Sequence, residues 1–289
     1  MQAQLSIITI NFNNLEGLKK TAESVINQTW KEFEWIIIDG GSTDGSKEYI
    51  VKLNDDLTRN GWNPIAYWCS EPDKGIYNAM NKGIVKACGE YLNFMNSGDC
   101  YYDKNTLENL FSRNYNSDII EGIALREDSL QPFHNRYPNQ TPLQMLMLSS
   151  FYHQASFINR HLQLRNMYDE NLRIVSDWKF FLTVLVKENI KVKMLCMPLA
   201  VVNVDGISSN CSDIQNKERK QVLQELFGEV TADALMHYSI MSMNILVRNL
   251  EFLRINHSKL YILCRRIVSV VTTTAKLCFR NRDKKYERI

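Results

Sequence analysis

The sequence has no Cys-x-x-Cys pair, no internal repeat and no low-complexity tract. Its seven cysteines are scattered and odd in number, which excludes a disulfide framework or a zinc ribbon and leads us to expect reduced thiols. Met1-Gln2-Ala3-Gln4 runs straight into a strand-like segment with no basic n-region, so no secretory signal is expected and the location expected is cytoplasmic. No uninterrupted apolar run is long enough to span a bilayer, because Arg265, Arg266 and Lys276 break up Leu260–Phe279. The β-branched run Ile267–Thr274 also weakens a helix there. The dinucleotide pattern Gly-x-Gly-x-x-Gly is missing, and Asn11–Glu16 holds no glycine-rich basic loop.

What remains is an ordinary globular composition, 45% hydrophobic, 10% aromatic and 23% charged over 289 residues. That suits one large domain, or one domain with an appendage. The net charge of +2 hides an asymmetry: Lys259 to Ile289 carry nine Lys/Arg and two Asp/Glu, a net +7, which leaves −5 for the rest. A basic tail on an acidic body points to an anionic partner, a membrane face rather than nucleic acid. Two readings stay open for this tail. It lies on the inner face of the cytoplasmic membrane as a peripheral segment, or it packs on the domain or on a second copy in a homodimer.

The first hundred residues alternate between strand and helix. Strands are expected at Leu5–Ile10, Phe33–Ile38, Ile65–Cys69 and Tyr91–Met95. Helices are expected at Leu15–Asn27, Ser42–Leu57 and Gly75–Cys88, with Gly89 as the last C-cap. Such βαβ units imply a mostly parallel central sheet flanked by helices. Further on, Thr106–Arg113 and Ser176–Glu188 read as helices, and Asp118–Leu125 and Lys191–Val204 as extended. Pro132, Pro138 and Pro142 mark a loop over a site, and a helical extension runs from Asp213 to about Arg254.

Polar residues gather where these strands end. Asn96-Ser97-Gly98-Asp99 follows the apolar run Tyr91–Met95, a poor place for a packing carboxylate and a good one for holding a cation over a ligand. Thr9-Ile10-Asn11-Phe12-Asn13-Asn14 ends the first strand, where it can hold a base, ribose or phosphate, or simply cap the next helix. Asp39-Gly40-Gly41-Ser42 ends the second; its glycines allow close backbone approach, and Asp39 can accept from a base N–H. A plain turn with Asp44 as cap is the alternative. Asp73 and Lys74 precede a helix that carries Tyr77, Asn78 and Asn81, a set unusual for a surface helix. Asp177 opens another helix, as its cap or as a general base, with Trp178 beside it. His153 stands before an apolar run and is a ligand-side candidate.

Together these segments resemble the family 2 glycosyltransferases, inverting enzymes with the GT-A fold. The resemblance rests on SIITINFNN at Ser6–Asn14, IIIDGGSTDGS at Ile36–Ser46, EPDKGIYNAMNKGI at Glu71–Ile84 and YLNFMNSGD at Tyr91–Asp99. HQASF at His153–Phe157, SDWKFFL at Ser176–Leu182 and DGISS at Asp205–Ser209 are similar to later motifs of bacterial polysaccharide members. The resemblance implies an α/β, GT-A (nucleotide-diphospho-sugar transferase) fold: a catalytic domain over 1–208, with donor half 1–102 and acceptor half 103–208, and a C-terminal helical extension over 209–289. It implies a hexosyltransferase acting in cell-envelope polysaccharide biosynthesis, using a nucleotide-diphosphate sugar, a UDP-sugar, and a saccharide or lipid-linked acceptor. Thr9, Asn11, Asp39, Asp73, Lys74, Asn96 and Ser97 would meet the donor. Asp99 would hold Mg²⁺ or Mn²⁺, Asp177 would be the base, and His153 and Trp178 would face the acceptor. Asn96 stands where the family often has its first acidic residue, which leaves Asp99 as the main metal ligand. Two other functions are carried alongside: a sugar-phosphate nucleotidyltransferase, and a non-catalytic nucleotide-sugar-binding module.

Overall fold

The computed structural model describes residues 3–133, 141–148, 150–188, 190–204, 212–243 and 262. The chain forms two compact units, Met1–Gly228 and Glu229–Ile289. Asp205–Ser209 and the basic tail lie outside the described residues.

In the first unit, β1 (Leu5–Asn11), α1 (Leu15–Ile26), β2 (Phe33–Asp39), α2 (Ser46–Arg59), β3 (Ile65–Ser70), α3 (Ile76–Lys86) and β4 (Tyr91–Phe94) follow in sequence. They give the parallel order β3-β2-β1-β4. The chain runs outward from β1 to β3, then crosses to the other side of β1 as β4. The carboxyl ends of β1 and β4 therefore border a switch point, where open α/β sheets bind ligands. β1 is buried at every position and β2 at all but Glu34, because helices cover both faces; the uninterrupted apolar runs follow from that. α1 turns Leu18, Ala22 and Val25 to this core, and Asn14 caps it by accepting from Gly17 N at 3.1 Å.

The second half adds β5 (Cys100–Tyr101), α4 (Thr106–Phe111), β6 (Ile119–Arg126), α5 (Pro142–Leu148), a 3₁₀ turn at His153–Ala155, β7 (Ser156–Asn159), α6 (Arg160–Arg165), α7 (Ser176–Lys187), β8 (Val192–Val202) and α8 (Ser212–Phe227). One eight-stranded sheet results, β3-β2-β1-β4-β7-β6-β8-β5. β7 pairs antiparallel with both β4 and β6, β6 pairs parallel with β8, and β5 pairs antiparallel with β8. The second unit contributes α9 (Glu229–Met243). Among the described residues no helix is long and apolar enough to cross a membrane, and Cys69, Cys100 and Cys196 are free thiols.

Several local expectations are corrected. Gly89 does not cap α3, whose C-cap is Ala87. Its glycine is required by close approach instead, since a Cβ there would lie 2.5 Å from Ser6 N. α2 starts at Ser46 rather than Ser42, because residues 42–45 are spent on a turn with Gly45 at φ +94°. Pro142 opens α5 instead of ending a loop, as suits a residue with no N–H to leave unpaired. The long C-terminal helix is broken at Gly228, φ +78°. β7 has only four residues and gave no periodic signal.

Candidate active site

Asp39 lies fully buried at the end of β2, in register with Asn11 on β1 and Ser70 on β3. Its Oδ1 accepts from Asn11 Nδ2 (2.7 Å) and Ser42 Oγ (2.6 Å), its Oδ2 from Ser42 N (3.0 Å) and Ser70 Oγ (2.6 Å). Burial pushes its pKa up, but these hydrogen bonds prevail and hold it below the usual carboxylate value. For Asp39 to accept from a base N–H, the Ser70 or Ser42 hydroxyl has to turn away, which rotation about Cβ–Oγ allows.

Asn11 joins this cluster to the turn after β4, since its Oδ1 accepts from Ser97 Oγ at 2.6 Å. That turn is held from α1 and its cap. Lys20 Nζ donates to Gly98 O (2.6 Å), Thr21 Oγ1 accepts from Gly98 N (3.0 Å), and Asn14 Nδ2 donates to Ser97 O (3.1 Å). Gly98 sits at φ +103°, a conformation glycine adopts without strain. Asp99 is 5% exposed; Oδ2 accepts from Gln154 Nε2 (2.9 Å) and Oδ1 from Asn203 N (2.9 Å). Burial raises its pKa despite these donors and the positive charge of Lys20.

The oxygens around Asp99 decide whether a hard cation suits this turn. Asn96 Oδ1 and Gln154 Oε1 are both buried and without a hydrogen-bond partner. Gln154 bonds Asp99 directly, and Asn96 lies on the same turn. A carboxylate destabilised by burial and two unsatisfied amide oxygens are the donor chemistry that Mg²⁺ and Mn²⁺ take. The described residues hold no cluster of three acidic, His or Cys side chains, so most of a cation's other ligands must come from substrate and water.

Asp73 lies over the Gly40 backbone: a Cβ at residue 40 would come within 2.6 Å of Asp73 Oδ2 and 3.1 Å of the Phe12 ring. Phe12 itself is 65% exposed, an apolar ring open to solvent at the end of β1. Asp73 Oδ1 accepts from Gly75 N (2.9 Å), and Lys74 N donates to Asn78 Oδ1 (3.1 Å).

The polar residues of α3 turn away from this edge. Asn81 Nδ2 donates to Tyr168 O and Glu170 Oε1 (both 2.9 Å), and its Oδ1 accepts from Tyr168 N (3.0 Å). Asn78 Nδ2 donates to Glu170 Oε2 (2.9 Å), and Tyr77 OH donates to Ile174 O (2.6 Å). The unusual composition of this helix is thus a clamp on residues 168–174, the segment that leads to Asp177.

Asp177 stands on the first turn of α7, its side chain 18% exposed. It does not cap the helix; Oδ1 accepts from Trp178 N at 2.8 Å and lies 3.1 Å from Tyr77 OH. Burial and the neighbouring Asp177 charge push the Tyr77 pKa well up, so that hydroxyl keeps its proton. Asp177 Oδ2 lies 3.2 Å from His153 Nδ1, and His153 Nε2 lies 3.0 Å from Asn96 Nδ2. One imidazole therefore spans the distance from the turn after β4 to Asp177. Trp178 is 2% exposed, with its indole N–H on Leu146 O (2.9 Å) and the Arg219 guanidinium 5.0 Å from its ring, so it supports the site from behind. Thr9 is likewise buried, its hydroxyl accepting from Trp35 Nε1 at 2.9 Å, and offers no side-chain atom to a ligand.

The structure thus brings Asn11, Asp39 and Ser97 into one hydrogen-bonded cluster and Asn96, His153 and Asp177 into a second, joined through the 96–99 turn that also carries Asp99, with Asp73 and Lys74 at the rim. Sequence reasoning missed Phe12, Ser42, Ser70 and Gln154. Only Phe12 carried a signal, as an aromatic residue where a strand becomes a turn.

The model of a family described as Glycosyl transferase family 2 matches residues 6–172. An uncharacterized glycosyltransferase of Mycobacterium tuberculosis is 45% identical over 97 residues, 33% of this chain and 34% of that protein, so the chain matches about a third of that relative's length. A PGL/p-HBAD biosynthesis glycosyltransferase of Mycobacterium bovis is 27% identical over 210 residues, 71% of this chain and 78% of its own. Among solved structures, S. aureus TarS 1-349 in complex with UDP-GlcNAc superposes with TM-score 0.63 at 16% identity, covering 82% of this chain and 72% of that one. The mannosyltransferase PcManGT from Pyrobaculum calidifontis, in complex with GDP-Man and Mn2+, gives 0.61 at 12% identity over 96% and 81%. At these identities the likeness establishes the GT-A fold.

Proposed function

Because the chain belongs to glycosyl transferase family 2, we propose that it moves a sugar from a UDP-sugar to a saccharide or lipid-linked saccharide acceptor, inverting the anomeric carbon. Membership of a glycosyltransferase family sets aside the nucleotidyltransferase and the non-catalytic binding module. TarS carries UDP-GlcNAc and PcManGT carries GDP-Man on the same fold, which supports a nucleotide-diphosphate sugar as donor.

One observation carries the reading: His153 bonds both Asn96, on the turn after β4, and Asp177. A donor diphosphate at that turn and a base at Asp177 would then flank one reacting carbon. The base moiety lies on Phe12 and the backbone of residues 40–42, with Asp39 at its edge. Lys74 reaches the phosphates from the rim. The acceptor hydroxyl attacks the anomeric carbon from the face opposite the diphosphate, and Asp177 takes its proton as the new bond forms. The transition state is oxocarbenium-like, and no covalent intermediate with the protein forms. Asp99 and the Asn96 amide oxygen would hold Mg²⁺ or Mn²⁺, which would supply positive charge against the leaving diphosphate. In this reading residues 1–102 serve the donor and 103–208 the acceptor.

A thermal-shift panel of UDP-glucose, UDP-galactose, UDP-N-acetylglucosamine and GDP-mannose with Mn²⁺ tests it, since a ligand bound by the native state raises the melting temperature. A selective shift with one UDP-sugar is expected. No shift with any, or a shift with GDP-mannose alone, overturns the assignment.

A further inference from the structure

We propose that Glu218, on α8, is a positioning residue for transfer: it fixes the loop that presents Asp177. The proposal rests on Asp177 being the base and adds what holds that base in place. Glu218 is 8% exposed. Its Oε1 accepts from Arg173 N at 2.8 Å, and its Oε2 from Ile174 N at 3.0 Å and Val175 N at 3.2 Å. These are three consecutive backbone N–H groups, and the next residues open α7.

The chemistry suits a carboxylate and little else. Arg173 and Ile174 precede α7 and Val175 is its N-cap, so no helical carbonyl accepts their N–H groups, and Glu218 supplies the acceptors instead. A carboxylate only accepts, so both oxygens can face N–H groups, whereas a glutamine would turn an NH₂ against one of them. Its negative charge also lies at the positive end of the α7 dipole. On the opposite side, Tyr77 OH donates to Ile174 O at 2.6 Å. The residue Ile174 is thus gripped through its N–H by α8 and through its C=O by α3, three positions before Asp177. Ser176 adds a third tie, its Oγ accepting from Asp169 N at 2.6 Å.

This grip gives a functional task to a helix that lies beyond residue 172, where the family match ends. A general base must sit within hydrogen-bond reach of the attacking hydroxyl, and a misplacement of about 1 Å costs on the order of 10²-fold in rate. Releasing three N–H groups from one side of residues 173–175 lets the α7 start tilt by that order.

The test uses the whole 289-residue chain, with nucleotide release from whichever donor of the panel binds. Glu218→Gln keeps the side-chain volume. We expect a folded protein by circular dichroism, a UDP Kd within about twofold of wild type, an unchanged donor KM and a kcat lower by about 10–100-fold. Placed in an Asp177→Asn background, the same change should cost no further residual rate, because it acts through that carboxylate. A folded Glu218→Gln protein with wild-type kcat, or an equal loss repeated on Asp177→Asn, overturns the proposal. Should Glu218→Gln fail to fold, Glu218→Asp draws the same carboxylate back by one methylene from the three N–H groups: a lowered kcat at constant KM supports the proposal and an unchanged kcat overturns it. An active Asp177→Asn protein removes the base assignment; an inactive one beside a fully active Glu218→Gln removes only the role of Glu218.

Discussion

His153 Nδ1 lies 3.2 Å from Asp177 Oδ2, while the other ring nitrogen faces the Asn96 amide at 3.0 Å. With the Asn96 NH₂ donating to Nε2, the neutral ring carries its proton on Nδ1 and donates it to Asp177. In the proposed mechanism the ring fixes the Asp177 carboxylate and does not touch the nucleotide. His153→Ala is expected to lower kcat by about 10–100-fold with the UDP Kd changed little, a split read by steady-state kinetics beside calorimetry. A large rise in Kd at constant kcat would place His153 on the donor instead.

Asp177→Asn keeps shape and removes basicity. Transfer should fall by about 10²–10⁴-fold, the usual contribution of a positioned general base. UDP binding should persist. Wild-type turnover in this variant would end the assignment.

Asp99 is raised by burial, so its charged form is disfavoured until a cation answers it. Asp99→Ala should therefore remove the Mn²⁺-dependent part of UDP binding. The check is the ratio of Kd values in EDTA and in Mn²⁺, well above one in wild type and close to one in the variant. A wild-type ratio of one would reject a metal-linked donor site.

Asp39 titrates the other way. Its folded pKa is held below the unfolded value of about 3.9. The stability it supplies is thus present above that value and lost as pH falls through the lower folded one. Replacing this charged acceptor of four donors by a neutral amide, Asp39→Asn, should cost about 2–3 kcal/mol at neutral pH. Urea unfolding of wild type and Asp39→Asn should converge as the pH falls below about 4. A difference that stays constant into acid would show that shape, not charge, is what Asp39 provides.

Gly89→Ala tests the packing of β1 on the entry to β4. The new Cβ would meet Ser6 N at 2.5 Å and Leu5 C at 2.6 Å, backbone atoms that cannot swing aside. A loss of about 1–3 kcal/mol is expected from chemical denaturation. Gly61→Ala meets nothing within 4 Å and sits at φ +76°, so it reports backbone strain without a clash.

The parallel half of the sheet was legible because each strand there is a buried apolar run and each helix an apolar stripe. Polar residues packed at the ends of such runs also read correctly as one edge. What those residues do at the edge did not follow. Thr9 and Asn11 sit two apart on one strand, yet Thr9 spends its hydroxyl on Trp35 while Asn11 braces Asp39 against Ser97. The α3 residues Tyr77, Asn78 and Asn81 read only as an unusual set for a surface helix, and they hold the segment that leads to Asp177. β7, four residues inserted antiparallel between β4 and β6, is too short for any period to show.

By itself the sequence determined the alternation of strand and helix, the motifs at the strand ends and the family they belong to. All three depend on neighbours a few residues apart, through backbone propensity and hydrophobic period. The tertiary structure decided which polar groups are spent on each other and which remain for a ligand. Those choices pair Tyr77 with Ile174 across 97 residues, and Arg173, Ile174 and Val175 with Glu218 from another helix. A buried hydrogen bond is set by where two distant segments pack, and local sequence does not record that position.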